Sequence, residues 1–212
     1  MRFEDLAERL ATVPASLPPP AETLMPVLTG TTNARPPSYP RDPSTIRQAA
    51  VLVLLFPDGA GDARVVLTER VTRDGHHSGE VSFPGGRAEP EDADLAATAL
   101  REAAEEVALD AAGAGVRVIG ELERFWIPVS NYEVTPVLAL ADRPPVLVAS
   151  PDEVASIVTP RIADFLPDAP FEMVERTIRG WPIRYGAYRV DGLSVWGATA
   201  RVLSQLGSLL AR

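Results

Sequence analysis

The sequence predicts a mixed α/β fold, with strands filling the middle of the chain and helices interspersed among them. Three observations carry this reading. "AAVLVLLF" (49–56) is a continuous apolar run, as a buried strand shows. Leu95, Ala96, Ala99, Leu100, Ala103, Ala104 and Val107 recur at the spacings of one apolar helix face, predicting a helix over Leu95–Val107. "VRVIGELERFWIP" (116–128) and "YEVTPVLALA" (132–141) then read as two strands joined by a turn at 129–131.

The remaining elements follow in order. Residues 3–11 suit a short helix. Prolines crowd the stretch from Pro14 to Pro43, which leaves no room for regular helix or central strand and predicts an extended arm that wraps the domain, or a partly disordered one. The expected division is therefore an N-terminal helix and Pro-rich arm (1–45) and a domain proper (46–212). The turn cluster "PDGAGD" (57–62) separates the first strand from "ARVVLTER" (63–70), so 49–70 reads as a hairpin. Residues 71–80 form a polar loop holding both histidines. "AGAG" (112–115) is expected to end the helix that begins at Leu95. "DEVASIVTPRIADFL" (152–166) reads as a strand and a short helix, "IRYGAYRV" and "LSVW" as a hairpin turning at Asp191-Gly192, and "GATARVLSQLGSLLAR" as a closing helix.

Composition narrows the function. The 212 residues suit one domain with additions, and a net charge of −9 argues against nonspecific nucleic-acid binding, which needs a basic footprint. A phosphate substrate stays open, because a metal ion can carry the positive charge. With no cysteine, disulfides, thiolate nucleophiles and cysteine-ligated metals are excluded. All 20 basic residues are Arg, so Schiff-base lysine chemistry is excluded too. No apolar run is long enough for a membrane span. "MRFEDLAERL" is not read as a secretory signal, and the expected location is cytoplasmic.

The chemistry concentrates in "SFPGGRAEPEDADLAATALREAAEEVALD" (82–110). Glu102 and Glu106 lie about 40° apart around a helix, with Glu105 on the other side of Glu102. Three carboxylates are thus expected on one patch, with the apolar face turned away. Arg101, four residues before Glu105, is placed to pair with it. Mg²⁺ takes one or two carboxylates, waters and substrate phosphate, and a Pro-Gly-Gly turn lets backbone approach a ligand closely. Together these read as a metal–phosphate site rather than a solvated helix face.

This stretch resembles the Nudix box, the loop–helix–loop signature of Nudix hydrolases, which closes on Arg-Glu-apolar-any-Glu-Glu-any-Gly-apolar. Gly86 and "REAAEEVAL" (101–109) match. The glycine lies one residue further from the Arg than in the common box, and Ala108 stands where Gly is usual. The early box Glu falls on Ala93, leaving Glu89 and Asp92 as acidic neighbours available to replace it. The upstream segment "VLTERVTRDGHHSGEVSFPGG" (66–86) is similar to the signature of the coenzyme A diphosphatase branch through Leu67, Thr68, Arg70, Gly79, Val81, Phe83, Pro84, Gly85 and Gly86. It departs at Val66, Val71 and Gly75. "VWGATARVL" (195–203) also looks like that branch.

The resemblance implies a Nudix α/β/α sandwich with a mixed sheet, and Mg²⁺- or Mn²⁺-dependent hydrolysis of a small-molecule diphosphate. For coenzyme A or its acyl derivatives the products are 3′,5′-ADP and 4′-phosphopantetheine or its acyl form. It implies Glu102 and Glu106 as metal ligands, with Glu105 and the Gly86 carbonyl completing the set, and Arg101 orienting the glutamates. Glu105 and Glu153 are alternative general bases. Arg70, Arg73, His77 and Gly85 are the expected substrate-binding residues. Trp126, Tyr132, Trp181 and Trp196 suit stacking or core, with core favoured for each. The competing readings are a Nudix hydrolase of ADP-ribose or a dinucleotide, differing in the loop 70–82, and a non-catalytic nucleotide sensor. Oligomeric state is not legible.

Overall fold

The computed structural model describes residues 1–11, 13–29, 43–71, 80–127, 130–178 and 181–212. Its first half runs α1 (Phe3–Arg9), β1 (Val27–Leu28), β2 (Arg47–Pro57), β3 (Ala63–Val65), β4 (Leu67–Arg70), β5 (Val81–Ser82), β6 (Gly85–Arg87) and α2 (Leu95–Val107). Then come α3 (Ala111–Ala114), β7 (Val116–Glu121), β8 (Phe125–Ile127), β9 (Tyr132–Ala141) and β10 (Val154–Val158). The chain closes with β11 (Glu172–Ile178), β12 (Trp181–Val190), β13 (Leu193–Val195) and α4 (Gly197–Leu210).

The apolar run of the first long strand becomes the centre of the main sheet. β2 lies parallel to β9, from Arg47 opposite Tyr132 to Leu55 opposite Leu140. The outer edge of β2 pairs antiparallel with β3 at one end and with β6 at the other. The outer edge of β9 pairs with β7 and β8. Both faces of this mixed sheet are covered, which is why β2 reads as continuously apolar rather than alternating. Ala50, Leu52 and Leu54 pack with Ala99, Ala103 and Val107 of α2. Val53 and Leu55, one residue out of phase, pack with Leu203 and Leu206 of α4 and with Leu6 of α1. The result is the expected α/β/α sandwich.

Two smaller antiparallel sheets flank it, β10–β4–β5 and β1–β12–β11, with β13 paired to β12. The hairpin reading of 49–70 holds only as far as Val65. Beyond it β4 leaves β2 for β10 and β5, with Leu67 opposite Val158 and Thr68 opposite Ser82. The stretch 116–128 is two strands, interrupted at 122–124. β11 was not expected as a strand. It pairs along its whole length with β12. The Asp191-Gly192 turn is as read, with positive φ at both residues, the geometry of a tight two-residue hairpin.

The described part of the N-terminal segment packs against the core. Leu6, Leu10 and Leu24 are fully buried beside the α4 side chains. The α4 residue Gln205 donates to the Pro18 carbonyl, and Ser204 accepts from the Ala21 N–H. Among the described residues no helix is long and apolar enough to cross a membrane.

Candidate active site

α2 is built as its sequence dictates at the start and under strain at the end. Asp94 caps it by accepting from the Ala97 N–H at 2.8 Å. It ends at Val107, earlier than the Ala-Gly repeat at 112–115, most of which forms the short α3. The residue that stops it is Ala108, in the left-handed region at φ 52°, where a glycine carries no Cβ penalty.

The three box carboxylates do not share one patch. Glu105 is the outermost, its side chain 58% exposed, whereas that of Glu102 is only 15% exposed. Glu106 is buried, at 4% exposure, although it was expected with the other two on a patch turned away from the apolar face. Ala104, expected in the core, is exposed instead. The helix is thus rolled so that Glu106 tucks beneath the Pro-Gly-Gly turn.

That turn has two glycines with separate tasks. At Gly85 (φ 154°) a Cβ would stand 2.4 Å from the Ala50 carbonyl oxygen, so the strand pairing of β6 with β2 requires its absence. At Gly86 a Cβ would stand 2.5 Å from a carboxylate oxygen of Glu102. The missing side chain is therefore the space the Glu102 carboxylate occupies. Gly85, expected to bind substrate, donates its N–H to Glu106 Oε2 at 3.1 Å.

Arg101 organises the neighbourhood. It makes a two-pronged pair with Asp92 (Nε to Oδ1 3.0 Å, Nη2 to Oδ2 3.1 Å). It also donates to Glu102 at 3.0 Å, to Glu105 at 3.2 Å and to the Arg87 carbonyl at 3.0 Å. Such forked geometry suits guanidinium and not ammonium. Of the two acids near the vacant box position, Asp92 is the one engaged, and it also receives hydrogen bonds from Thr98 Oγ1 and the Glu89 N–H. The Arg101 guanidinium holds the Asp92 carboxyl well below the usual carboxylate range. Sequence spacing alone could not choose between Glu89 and Asp92. Only the fold of the 88–94 loop does.

Burial acts in the same direction on the two inner glutamates. It raises Glu102, against the opposing pull of Arg101. It pushes Glu106 up to about 7, even though the Gly85 N–H and Arg70 favour the charged form. Among the described residues no cationic side chain is in ion-pair contact with Glu106. Glu153 adds negative charge felt by both. It is exposed on the segment that crosses the end of α2, where the Val148 and Ser150 N–H groups donate to the Val107 and Glu106 carbonyls. The Val71 N–H donates to the Glu153 carbonyl, and Arg70 lies opposite Val154, so the fold brings Arg70 and Glu153 to one edge. Arg73 and His77 fall outside the described residues.

A buried carboxylate with no ion-pair partner among the described residues, Glu106, beside a half-buried one held by Arg101, Glu102, suits a hard divalent cation. Among the described residues no three acidic or histidine side chains gather as a closed cage. Two carboxylates, with waters and substrate phosphate completing the shell, is the donor set Mg²⁺ ordinarily takes. The residues fit the ion.

Comparison with known proteins agrees with this geometry. The NUDIX domain family model matches residues 46–174. The chain belongs to the Nudix family. Among its Nudix relatives, "Nudix hydrolase 15, mitochondrial" of Arabidopsis thaliana is 37% identical over 177 residues, covering 80% of this chain and 61% of that protein. The "Uncharacterized Nudix hydrolase NudL" of Shigella flexneri is 36% identical over 172 residues, covering 80% of this chain and 86% of that protein. The chain thus spans less than two thirds of the plant Nudix protein and most of the bacterial one. A crystal structure of a Nudix hydrolase from M. smegmatis, RenU, aligns with a TM-score of 0.46 at 24% identity, over 56% of this chain and 72% of that one.

Proposed function

We propose that this chain hydrolyses the diphosphate of a nucleoside diphosphate derivative, using Mg²⁺ or Mn²⁺, and that its substrate is coenzyme A or an acyl derivative. The observation that carries the reaction class is the Glu102–Glu106 pair. These carboxylates are buried against Gly85 and Gly86, and the inner one has its pKa raised to about 7. A fold bears the cost of burying such groups where a ligand compensates for it. A bound divalent ion neutralises the diphosphate and makes water a nucleophile at neutral pH.

In this reading Glu102, Glu106 and the Gly86 carbonyl hold the ion. Arg101, fixed by Asp92, holds the Glu102 carboxylate in place. Glu105 is already bonded to Arg101, and Glu153, with no guanidinium in ion-pair contact among the described residues, takes the part of the base. Arg70 meets phosphate oxygens, and Arg73 and His77 extend that contact. Coenzyme A is favoured by the residues from Leu67 to Gly86 that match the signature of that branch. The test is product analysis with coenzyme A, ADP-ribose and a diadenosine polyphosphate, each with Mg²⁺ or Mn²⁺. Release of 3′,5′-ADP from coenzyme A is expected. Cleavage of ADP-ribose or the dinucleotide alone moves the substrate elsewhere in the family.

A further inference from the structure

β11 lies at the edge of its sheet. It pairs with β12 from Glu172 opposite Ala187 to Ile178 opposite Trp181, and among the described residues no strand pairs with its other side. That side is a row of backbone donors and acceptors along a strand of 7 residues. Proline, lysine or a bulge commonly guards such an edge. β11 carries no proline and no lysine, and its register with β12 is unbroken. Apolar side chains stand beside it. Met173 is 50% exposed and Phe171, just before the strand, 42%. Val174, on the opposite face, is half-buried against Ile183, Tyr185 and Ala187.

The charges on β11 decide what fits this edge. When two identical strands pair antiparallel, residues directly opposite share a face and a hydrogen-bonding state, so one residue lies opposite its own copy on a twofold axis. An axis at Glu175 sets Glu175 against Glu175, and an axis at Arg176 sets Arg176 against Arg176, which like charges oppose. An axis at Met173 or Thr177, or at either end, leaves more than half of the strand unpaired. An axis at Val174 sets Glu172 opposite Arg176 of the second copy, and Arg176 opposite Glu172 of that copy.

Both groups are available for this. Arg176 is exposed, 4.8 Å from the Trp196 ring centroid, with no carboxylate in ion-pair contact among the described residues. Glu172 Oε1 accepts from Arg189 Nε at 2.8 Å. Its second oxygen makes no hydrogen bond among the described residues, so Arg189, Glu172 and Arg176 of the second copy can form one chain of charge. With this axis the two Val174 side chains meet on one face, and the two Met173 side chains lie diagonally across the axis on the other.

We propose that β11 is a self-docking edge, through which two copies of this chain join antiparallel about Val174 into one continuous sheet. The contact is narrow, of the class that forms weak dimers, so assembly depends on concentration.

Sedimentation velocity on the full chain from about 1 to 300 µM reads the equilibrium over the range where narrow interfaces assemble. A shift from monomer to dimer is expected. Arg176→Glu, a change at an exposed side chain, sets like charges opposite each other and should weaken the dimer at least about tenfold. Adding Glu172→Arg to it restores the complementarity and should restore the dimer. The chain has no cysteine, so Val174→Cys and Thr177→Cys each supply a single thiol. Opposite residues of an antiparallel pair lie about 4.5 to 5.5 Å apart, within reach of a disulfide. Oxidation should therefore link Val174→Cys into a covalent dimer. It should leave Thr177→Cys unlinked, because the two copies of that position stand about 20 Å apart along the strands. A chain that stays monomeric over the whole range overturns the inference. So does a dimer that Arg176→Glu leaves unweakened, or one that Thr177→Cys links and Val174→Cys does not, since these place the contact on another surface or in another register. The hydrolase reading stands apart from all of these outcomes.

Discussion

The Gly85 N–H donates to Glu106 Oε2 at 3.1 Å, joining the first glycine of the turn to a buried carboxylate. That bond is too little to keep Glu106 ionised at low cost, and its pKa rises to about 7 from 4.5. The folded carboxyl binds its proton more tightly than the unfolded one. Its contribution to stability is therefore complete below about pH 4.5 and is lost as pH rises through 7. Denaturant titration of the metal-free protein at pH 5 and pH 8 should show this loss. Glu106→Gln should recover up to about 3 kcal/mol at pH 8 and little at pH 5. The same variant should lose activity, so stability and turnover move in opposite directions.

The two glycines of the turn should fail differently when given a methyl group. Gly86→Ala pushes on the Glu102 carboxylate, a side chain that can move. The fold should survive and metal affinity should fall about 10- to 100-fold. Gly85→Ala pushes on the backbone of β2. It should lower the thermal midpoint before any question of metal arises. Circular dichroism melts beside metal titrations separate the two.

Arg101 is expected to tolerate no substitute. Arg101→Lys keeps the charge and loses the forked contact with Asp92 and the simultaneous bonds to Glu102 and the Arg87 carbonyl. A 10- to 100-fold drop in kcat is the expected result, with Asp92→Asn matching it in direction. If Asp92→Asn leaves turnover unchanged while Glu89→Gln lowers it, the assignment of Asp92 as the partner of Arg101 is wrong.

Ala108 should improve on becoming glycine. Its φ of 52° places a Cβ where L-residues are disfavoured by about 1 kcal/mol. Ala108→Gly should raise stability by about that amount, offset in part by the greater freedom glycine has in the unfolded chain. The helix itself should be unchanged by near-ultraviolet and far-ultraviolet circular dichroism.

These relationships show where sequence reading works and where it stops. The bounds of α2 and the strand at 49–56 were legible, because their apolar spacing reflects faces that really are buried. The same spacing misplaced Ala104 and Glu106. Hydropathy ranks alanine with the core and glutamate with the surface, whereas the Pro-Gly-Gly turn fixes the roll of the helix and submerges the glutamate. β4 was taken as the continuation of a hairpin because nothing in "ARVVLTER" announces that its second half changes partners. β11 escaped notice because "EMVERTI" alternates weakly and owes its strand to β12. The role of Asp92 depends on a loop whose path no local pattern encodes.

The most direct test of the account is Mn²⁺ binding, measured by electron paramagnetic resonance on the wild-type chain and on Glu106→Gln at pH 6 and pH 8. The account predicts one saturable site in the wild type that tightens across this range, as the Glu106 proton leaves and the carboxylate becomes available. It predicts that Glu106→Gln binds Mn²⁺ weakly at both pH values. Equal affinity in the two proteins, with no change between pH 6 and pH 8, would contradict the claim that the buried carboxylate beneath Gly85 is there to hold the metal.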